Sequence, residues 1–301
     1  MSTFQPHSVV RRVGQHLLRL RSLGSGAASN RGLCLATDLV LQEQLNNGTI
    51  HKLTLNDPKT RNSLSLAMLE SLNEKLDSLI NNSNVRVIIL AAKPPVFSAG
   101  HNLKELTTET GQRHHERIFA QCTEVMEKIQ DMTIPSVCQV HGVAAAAGCQ
   151  LVASCDLVLA TPHATFSTPG ARVAGLFCST PGVAVSRTVS KKVAMDMLLT
   201  GDAIDAQTAL RAGLVSRIVP VESIESETMQ VTQSIANLSR PVIGMGKAFF
   251  YTQLGMDRRT AYRHAQSVML ENLRLKDCQE GIRAFTEKRT PKWTHTAERE
   301  F

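Results

Sequence analysis

The chain has 301 residues, 43% hydrophobic and 20% charged, with 33 Lys and Arg against 26 Asp and Glu and a formal net charge of +7. That balance is ordinary for a globular protein and argues against a disordered or fibrous chain. No run of about 18 apolar residues occurs, which argues against a membrane-spanning helix, and the length leaves room for one large domain or two smaller ones.

The charge is unevenly placed. The first acidic residue is Asp38, and before it stand Arg11, Arg12, Arg19, Arg21 and Arg31, interleaved with Ser and with Val9, Val10, Val13, Leu17, Leu18 and Leu20. Five of the seven net charges therefore belong to the N-terminal segment, and the remainder of the chain is nearly balanced. A segment rich in Arg and Ser, free of acid and without a continuous apolar block has the composition of a mitochondrial transit peptide. Residues 1–36 are expected to be that leader, and the mature protein to reside in the matrix. The seven cysteines, odd in number and with no C-x-x-C pair, fit free thiols in a reducing compartment.

After the leader, residues 40–44 and 50–55 predict two strands joined by a turn at Asn46-Asn47-Gly48. Leu66, Leu69, Leu72, Leu76, Leu79 and Ile80 recur at helical spacing, with Ser63 or Ser65 as the cap. Residues 85–92 predict a buried strand, 112–132 a helix and 136–140 a strand. His141-Gly142 then turns the chain into a small-residue helix over 144–155. A strand over 156–160 precedes helices over 181–190, 192–200 and 205–212 and a short strand over 215–219. From 223 to 289 the pattern is helical, broken at Pro241 and Gly255. Strands and helices alternate up to about residue 220 and helices alone follow, so the fold class is α/β with an α-helical C-terminal region.

G-x-G-x-x-G, Walker A, H-E-x-x-H and G-x-S-x-G are all absent from the sequence, which removes the usual support for phosphate-cradle, zincin and nucleophile-elbow chemistry. His114-His115 lies in a charged helix without a second ligand set, and no metal site is expected. Two segments are harder to explain as scaffold. Over 97–106 (FSAGHNLKEL) a strand ends at small residues, Gly100 turns the chain and a short helix begins. Over 141–151 (HGVAAAAGCQL) a strand ends in a turn and a helix opens with almost no side chain. Such turns leave backbone N–H groups free for a ligand, and a helix N-terminus favours negative charge.

These segments resemble the enoyl-CoA hydratase/isomerase, or crotonase, family. The resemblance runs from about 37 to 293 and takes in DPKTRNSL at 57–64, FSAGHNLKEL at 97–106, the segment 142–156, and FTEKRTPKW at 285–293. It implies a crotonase (ClpP-like) spiral of ββα units over 37–222, and a helical trimerisation region over 223–301 that forms a homotrimer or a dimer of trimers. It also implies an acyl-CoA ester as ligand, with no other cofactor and no nucleic-acid partner. By motif position the two backbone N–H groups that hold a thioester oxygen fall on His101 and Ala147, and the worth of such a donor is about 3 kcal/mol. Lys59, Ser98, Ala99, His101, Asn102, Leu103 and Lys104 are expected along the coenzyme. Phe285 and Lys288 match residues that reach a neighbour's coenzyme.

The sequence departs from the family where hydration needs two glutamates. Those positions fall on Gln150 and Gly170, and neither exchanges a proton near neutral pH. The loop 175–182, where other members place a carboxylate, has none; Cys178 and Ser179 are its only reactive side chains. A cysteine nucleophile there needs a lowered pKa. Arg172 is either a partner for an acidic acyl group or a surface charge. The expectation is a mitochondrial acyl-CoA binder of fatty-acid metabolism without ordinary hydratase activity. The alternative is an active lyase, isomerase or thioester hydrolase with unusual acid/base residues. An RNA-binding role is disfavoured, because the helix over 66–82 carries Glu70, Glu74 and Asp77 against Lys75 alone.

Overall fold

The computed structural model describes residues Asp38–Phe301, which form one compact unit; the leader expected over 1–36 lies outside them. β1 (Val40–Leu45) and β2 (Ile50–Leu55) form an antiparallel hairpin. Asn46, Asn47 and Gly48 all take positive φ at its turn, a conformation that Asn and Gly tolerate. α1 (Leu66–Ile80) is capped by Ser65, whose side chain accepts from the Met68 N–H, while Ser63 donates its hydroxyl to the Thr60 carbonyl.

β3 (Val87–Ala92), β4 (Ser136–Val140) and β6 (Leu157–Ala160) extend the sheet in parallel, and β9 (Arg217–Ile218) closes it. Its order is β1-β2-β3-β4-β6-β9. Every residue of β3 is buried, because both faces of the sheet are covered. One face carries Leu53, Leu55, Ile88, Leu90 and Cys138. It meets Leu69, Leu72 and Leu76 of α1 and Ile118, Val125 and Ile129 of α2 (Gln112–Asp131). The other carries Ile50, Val87, Ile89, Val137 and Leu159, and takes Ile224, Val231 and Ala236 of α8 (Ile224–Ala236). The first C-terminal helix thus covers the sheet directly.

A second, three-stranded sheet has the order β5-β7-β8, from Val143–Ala145, Thr165–Ser167 and Ile204–Asp205. It corrects the helix expected over 144–155. That segment splits at Ala146 into β5 and α3 (Ala147–Ser154), because Val143, Ala144 and Ala145 pair in parallel with Thr165, Phe166 and Ser167. Sheet pairing overrides the helix propensity of alanine.

A short helix, α4 (Gly170–Ala174), follows β7 and precedes α5 (Ser179–Thr188), α6 (Lys191–Thr200) and α7 (Ala206–Ala212). The C-terminal region continues through α9 (Arg240–Gln253), α10 (Arg258–Arg274) and α11 (Lys276–Thr286). Pro241 begins α9 instead of breaking it: at the first turn its missing N–H costs no hydrogen bond. Among the described residues no helix is long and apolar enough to cross a membrane.

Candidate functional site

The two turns singled out in the sequence are stitched together by backbone hydrogen bonds. Ser98 N donates to Val143 O at 3.1 Å, and Ala145 N donates to Ser98 O at 2.9 Å. On the other side, Leu64 N donates to Gly100 O at 2.8 Å and Ala99 N to Arg61 O at 3.0 Å. The 57–64 segment, the 97–101 turn and the start of α3 therefore form one continuous wall.

Glycines make that contact close. Gly100 takes φ +84, and a Cβ there would lie 2.8 Å from Ala145 O and 3.1 Å from Ala147 N. A Cβ on Gly148 would lie 2.6 Å from Ser98 O and 2.7 Å from Ser98 Cβ. Neither position has room for a side chain. The chain enters α3 through Ala146 at φ 48, ψ −119, a conformation costly for any residue with a Cβ. The Ala147 N–H begins α3 and the His101 N–H follows the Gly100 turn. Neither donates a hydrogen bond among the described residues.

Both residues line a cavity of about 580 Å3, a volume suited to a small-molecule ligand. Ala99, Asn102, Leu103 and Lys104 line it too, as do Gly170, Cys178 and Ser179, so most of the sequence-selected residues converge here. An apolar part of the wall is made by Leu106, Phe119, Pro169, Val173, Leu176 and Phe177, while Thr60, Arg61, Ser63 and Thr180 add polar groups. The sequence reading singled out the segments of Leu106 and of Leu176 and Phe177 but not Phe119, Pro169 or Val173, because Phe119 comes from α2 and only the fold brings 169–173 opposite the turns.

Other expected residues sit elsewhere. Lys59 does not line the cavity; the cation from its segment that does is Arg61, which takes a left-handed conformation. Ser98 is fully buried, donates its hydroxyl to Asn62 O at 2.8 Å and accepts from Gly100 N, so it holds the turn without reaching the cavity. Asn62 in turn donates to Lys93 O and Val96 O. Phe285 is 86% exposed and lies outside the cavity of its own chain, as does Lys288. Arg172 also lies outside the wall and is ion-paired with Asp202 at the surface.

The two positions that the resemblance assigns to hydratase glutamates differ from each other. Gln150 is buried in α3 behind the wall, and its Oε1 has no hydrogen-bond partner. Gly170 does line the cavity, but a Cβ on it would lie 2.2 Å from Leu176 O and 2.7 Å from Cys178 Sγ. The space that an acid side chain needs is filled by the 176–178 loop. Cys178 accepts a hydrogen bond from Gly170 N at 3.3 Å. Burial pushes its thiol above the usual cysteine range, against the smaller opposing effect of that N–H, and Cys149 is pushed up to about 12. A thiol held protonated is a poor nucleophile.

The six described cysteines are free thiols. Among the described residues no group of three His, Cys, Asp or Glu side chains could hold a metal ion. His115 on α2 instead makes hydrogen bonds with Thr107 O and Thr110 Oγ1. A second, apolar hollow of about 650 Å3 lies between α9 and α10, and its charged residues, Asp156 and Lys247, are paired with each other.

The family sequence profile described as Enoyl-CoA hydratase/isomerase matches residues 45–296. The chain belongs to the enoyl-CoA hydratase/isomerase family. Within that family it is 51% identical over 246 residues to the human protein named enoyl-CoA hydratase domain-containing protein 3, mitochondrial, covering 82% of this chain and 81% of that one. The zebrafish (Danio rerio) protein of the same name is 48% identical over 93% of both chains. The crystal structure of human enoyl coenzyme A hydratase domain-containing protein 3 superposes with a TM-score of 0.82 at 49% identity, covering 85% of this chain and all of that one. That of a Mycobacterium smegmatis enoyl-CoA hydratase also gives 0.82, at 44% identity, covering 86% and 99%. The fold is accordingly the α/β crotonase fold of this enzyme family, and the branch is the one these relatives share.

Proposed function

We propose that the protein is a mitochondrial acyl-CoA-binding member of the family, working in fatty-acid metabolism, that does not hydrate enoyl-CoA esters. The observation that carries this reading is the composition of the wall. It offers two unpartnered backbone N–H groups, from His101 and Ala147, and among the described residues no Asp or Glu lines the cavity. Fixed N–H donors stabilise oxygen charge in a dry site, and each is worth about 3 kcal/mol. Addition of water to a double bond needs in addition a group that takes a proton and one that gives it. The apolar wall suits an acyl chain, and Arg61 and Lys104 suit coenzyme phosphates. The mitochondrial assignment rests on the Arg-rich, acid-free leader and on the names of the relatives. By family resemblance the working form is a homotrimer or dimer of trimers, in which Phe285 and Lys288 reach the next subunit's ligand.

Titration calorimetry with octanoyl-CoA, together with loss of enoyl absorbance on crotonyl-CoA, tests the proposal. Saturable binding without hydration above the buffer rate is expected. Absence of binding, or hydration at rates of about 1 per second or more, overturns it. Gly148→Ala should weaken binding at least tenfold, because the added methyl separates α3 from the Ser98 turn.

A further inference from the structure

Backbone hydrogen bonds fix the order of segments across the cavity wall. The 61–64 segment is bonded to the 97–101 turn, that turn to β5, and the residue after β5 to β7, where Ala146 N donates to Ser167 O at 2.9 Å. The two unpartnered N–H groups stand in the middle of that row. On one side are the Arg and Lys of the cavity. Arg61 lies on the first segment, and the chain from His101 to Glu105 runs beside it, tied by the Leu66 N–H to the Glu105 carboxylate at 2.9 Å. On the other side, beyond β7, comes the nine-residue stretch 170–178, which brings Val173, Leu176 and Phe177 into the same cavity.

That stretch is closed on itself. Gly175 takes φ +63 and ends α4, Leu176 N donates to Gly170 O at 3.1 Å, and Gly170 N donates to Cys178 Sγ at 3.3 Å. A loop tied at both ends is ordered before any ligand arrives. It nevertheless leaves apolar surface bare: Val173 is 68% exposed, and Leu176 and Phe177 are each 45% exposed. Single exposed apolar residues are ordinary, but three within nine residues in the wall of one cavity mark a surface for a ligand to cover. Arg172, the one charge of the stretch, is paired with Asp202 outside the wall. A carboxylate brought here would lose its water with no free cation to receive it.

We propose that residues 170–178 form a clamp that selects the acyl group, taking uncharged aliphatic chains long enough to cover Val173, Leu176 and Phe177 over short chains and over chains that end in a carboxylate. The assignment rests on the acyl-CoA binding proposed above and names the kind of acyl group that site accepts. Gly170 then belongs to selection: its N–H and its carbonyl are both spent on holding the clamp shut, and the space a side chain would need is the space the clamp fills. Each methylene moved from water onto an apolar wall is worth about fourfold in affinity. Going from a butyryl to an octanoyl group adds four methylenes, roughly 200-fold for full burial. The clamp side chains are only partly enclosed, so about tenfold or more is the expected gain.

The test is calorimetry on the full chain with three esters: butyryl-CoA, octanoyl-CoA, and suberyl-CoA, which has eight acyl carbons and a terminal carboxylate. Octanoyl-CoA should bind at least tenfold more tightly than either of the others. The double variant Leu176→Ser with Phe177→Ser should cut the octanoyl preference at least fivefold while holding butyryl-CoA within a few-fold of the parent, which a general loss of structure would not do. Should the double variant not fold, Val173→Ser, at the most exposed of the three side chains, carries the test. Phe177→Arg should raise the affinity for suberyl-CoA relative to octanoyl-CoA. Equal binding of butyryl-CoA and octanoyl-CoA by the parent, tighter binding of suberyl-CoA, or an octanoyl preference unchanged in the serine variants overturns the clamp and leaves the binding reading standing. Absence of binding of all three esters by the parent sinks the binding reading itself.

Discussion

At the scale of single residues, the site is constrained most by what has no room. Gly170 is a position where, on the proposed reading, introducing an acid should not confer hydration. Its missing Cβ would penetrate the Leu176 carbonyl, and Cys178 Sγ stands close behind. Gly170→Glu, alone or with Gln150→Glu, should be destabilised by about 3 kcal/mol through overpacking and should not hydrate crotonyl-CoA. Thermal unfolding and the absorbance assay check both halves; a stable, hydrating double variant would show that the loop yields. Ala146 carries the opposite lesson. It holds φ 48, ψ −119, a region that costs a residue with a Cβ about 1–3 kcal/mol. Glycine relieves that at about 0.5–1 kcal/mol of chain entropy. Ala146→Gly should therefore raise stability by about 1 kcal/mol in urea unfolding, with unchanged slope.

At the scale of elements, what was legible in the sequence divides by length and by whether a partner is needed. β1 to β4 and α1 were legible because their apolar residues recur over five residues or more, and Ser65 marks the start of α1. β5 and β7, with three residues each, were not; each is held by pairing, β5 with β7 and β7 also with β8. α4, five residues long, is too short for a period. The turn half of the site was legible, since Gly100 and Gly148 announce close backbone approach. The apolar wall was not, since Phe119 and Phe177 are brought together by tertiary folding alone. The tie between α9 and the sheet was equally hidden. Lys247 Nζ lies 2.8 Å from Asp156 Oδ2 and donates to Ile129 O and Ile134 O, while Tyr251 donates to Asp156 Oδ1. Burial lowers the lysine's pKa and Asp156 opposes it. Lys247→Met leaves a half-buried carboxylate and two carbonyls short of a partner and should cost about 3–5 kcal/mol. Tyr251→Phe removes one hydrogen bond from a carboxylate that keeps others, and should cost about 1–2 kcal/mol. The two variants, compared in denaturant, separate the charge from the hydroxyl; equal losses would show that helix packing alone matters.

At the scale of the molecule, the fold stores neutral histidines in several places at once, and this fixes how its stability responds to acid. His51 at the hairpin, His101 in the cavity wall, His141 at the end of β4 and His295 beside α9 all have pKa values lowered, in each case first by burial. A histidine whose folded pKa lies below its unfolded value of about 6.5 is protonated more readily in the unfolded chain. Its contribution is complete above that value and is lost as pH falls through it. The carboxylate of Asp277 acts in the same direction at lower pH. Burial opposes its ionisation, but hydrogen bonds from Ser239, Thr294 and His295 outweigh it and hold the group below the usual carboxylate range. Stability should therefore be flat from pH 8 to about 7 and fall steadily to pH 5. The proton uptake on unfolding in that window should drop when His51 and His141 are replaced by Gln. Calorimetric unfolding across the pH range checks the slope. A melting temperature that rises on acidification would mean that the histidines are charged in the folded state.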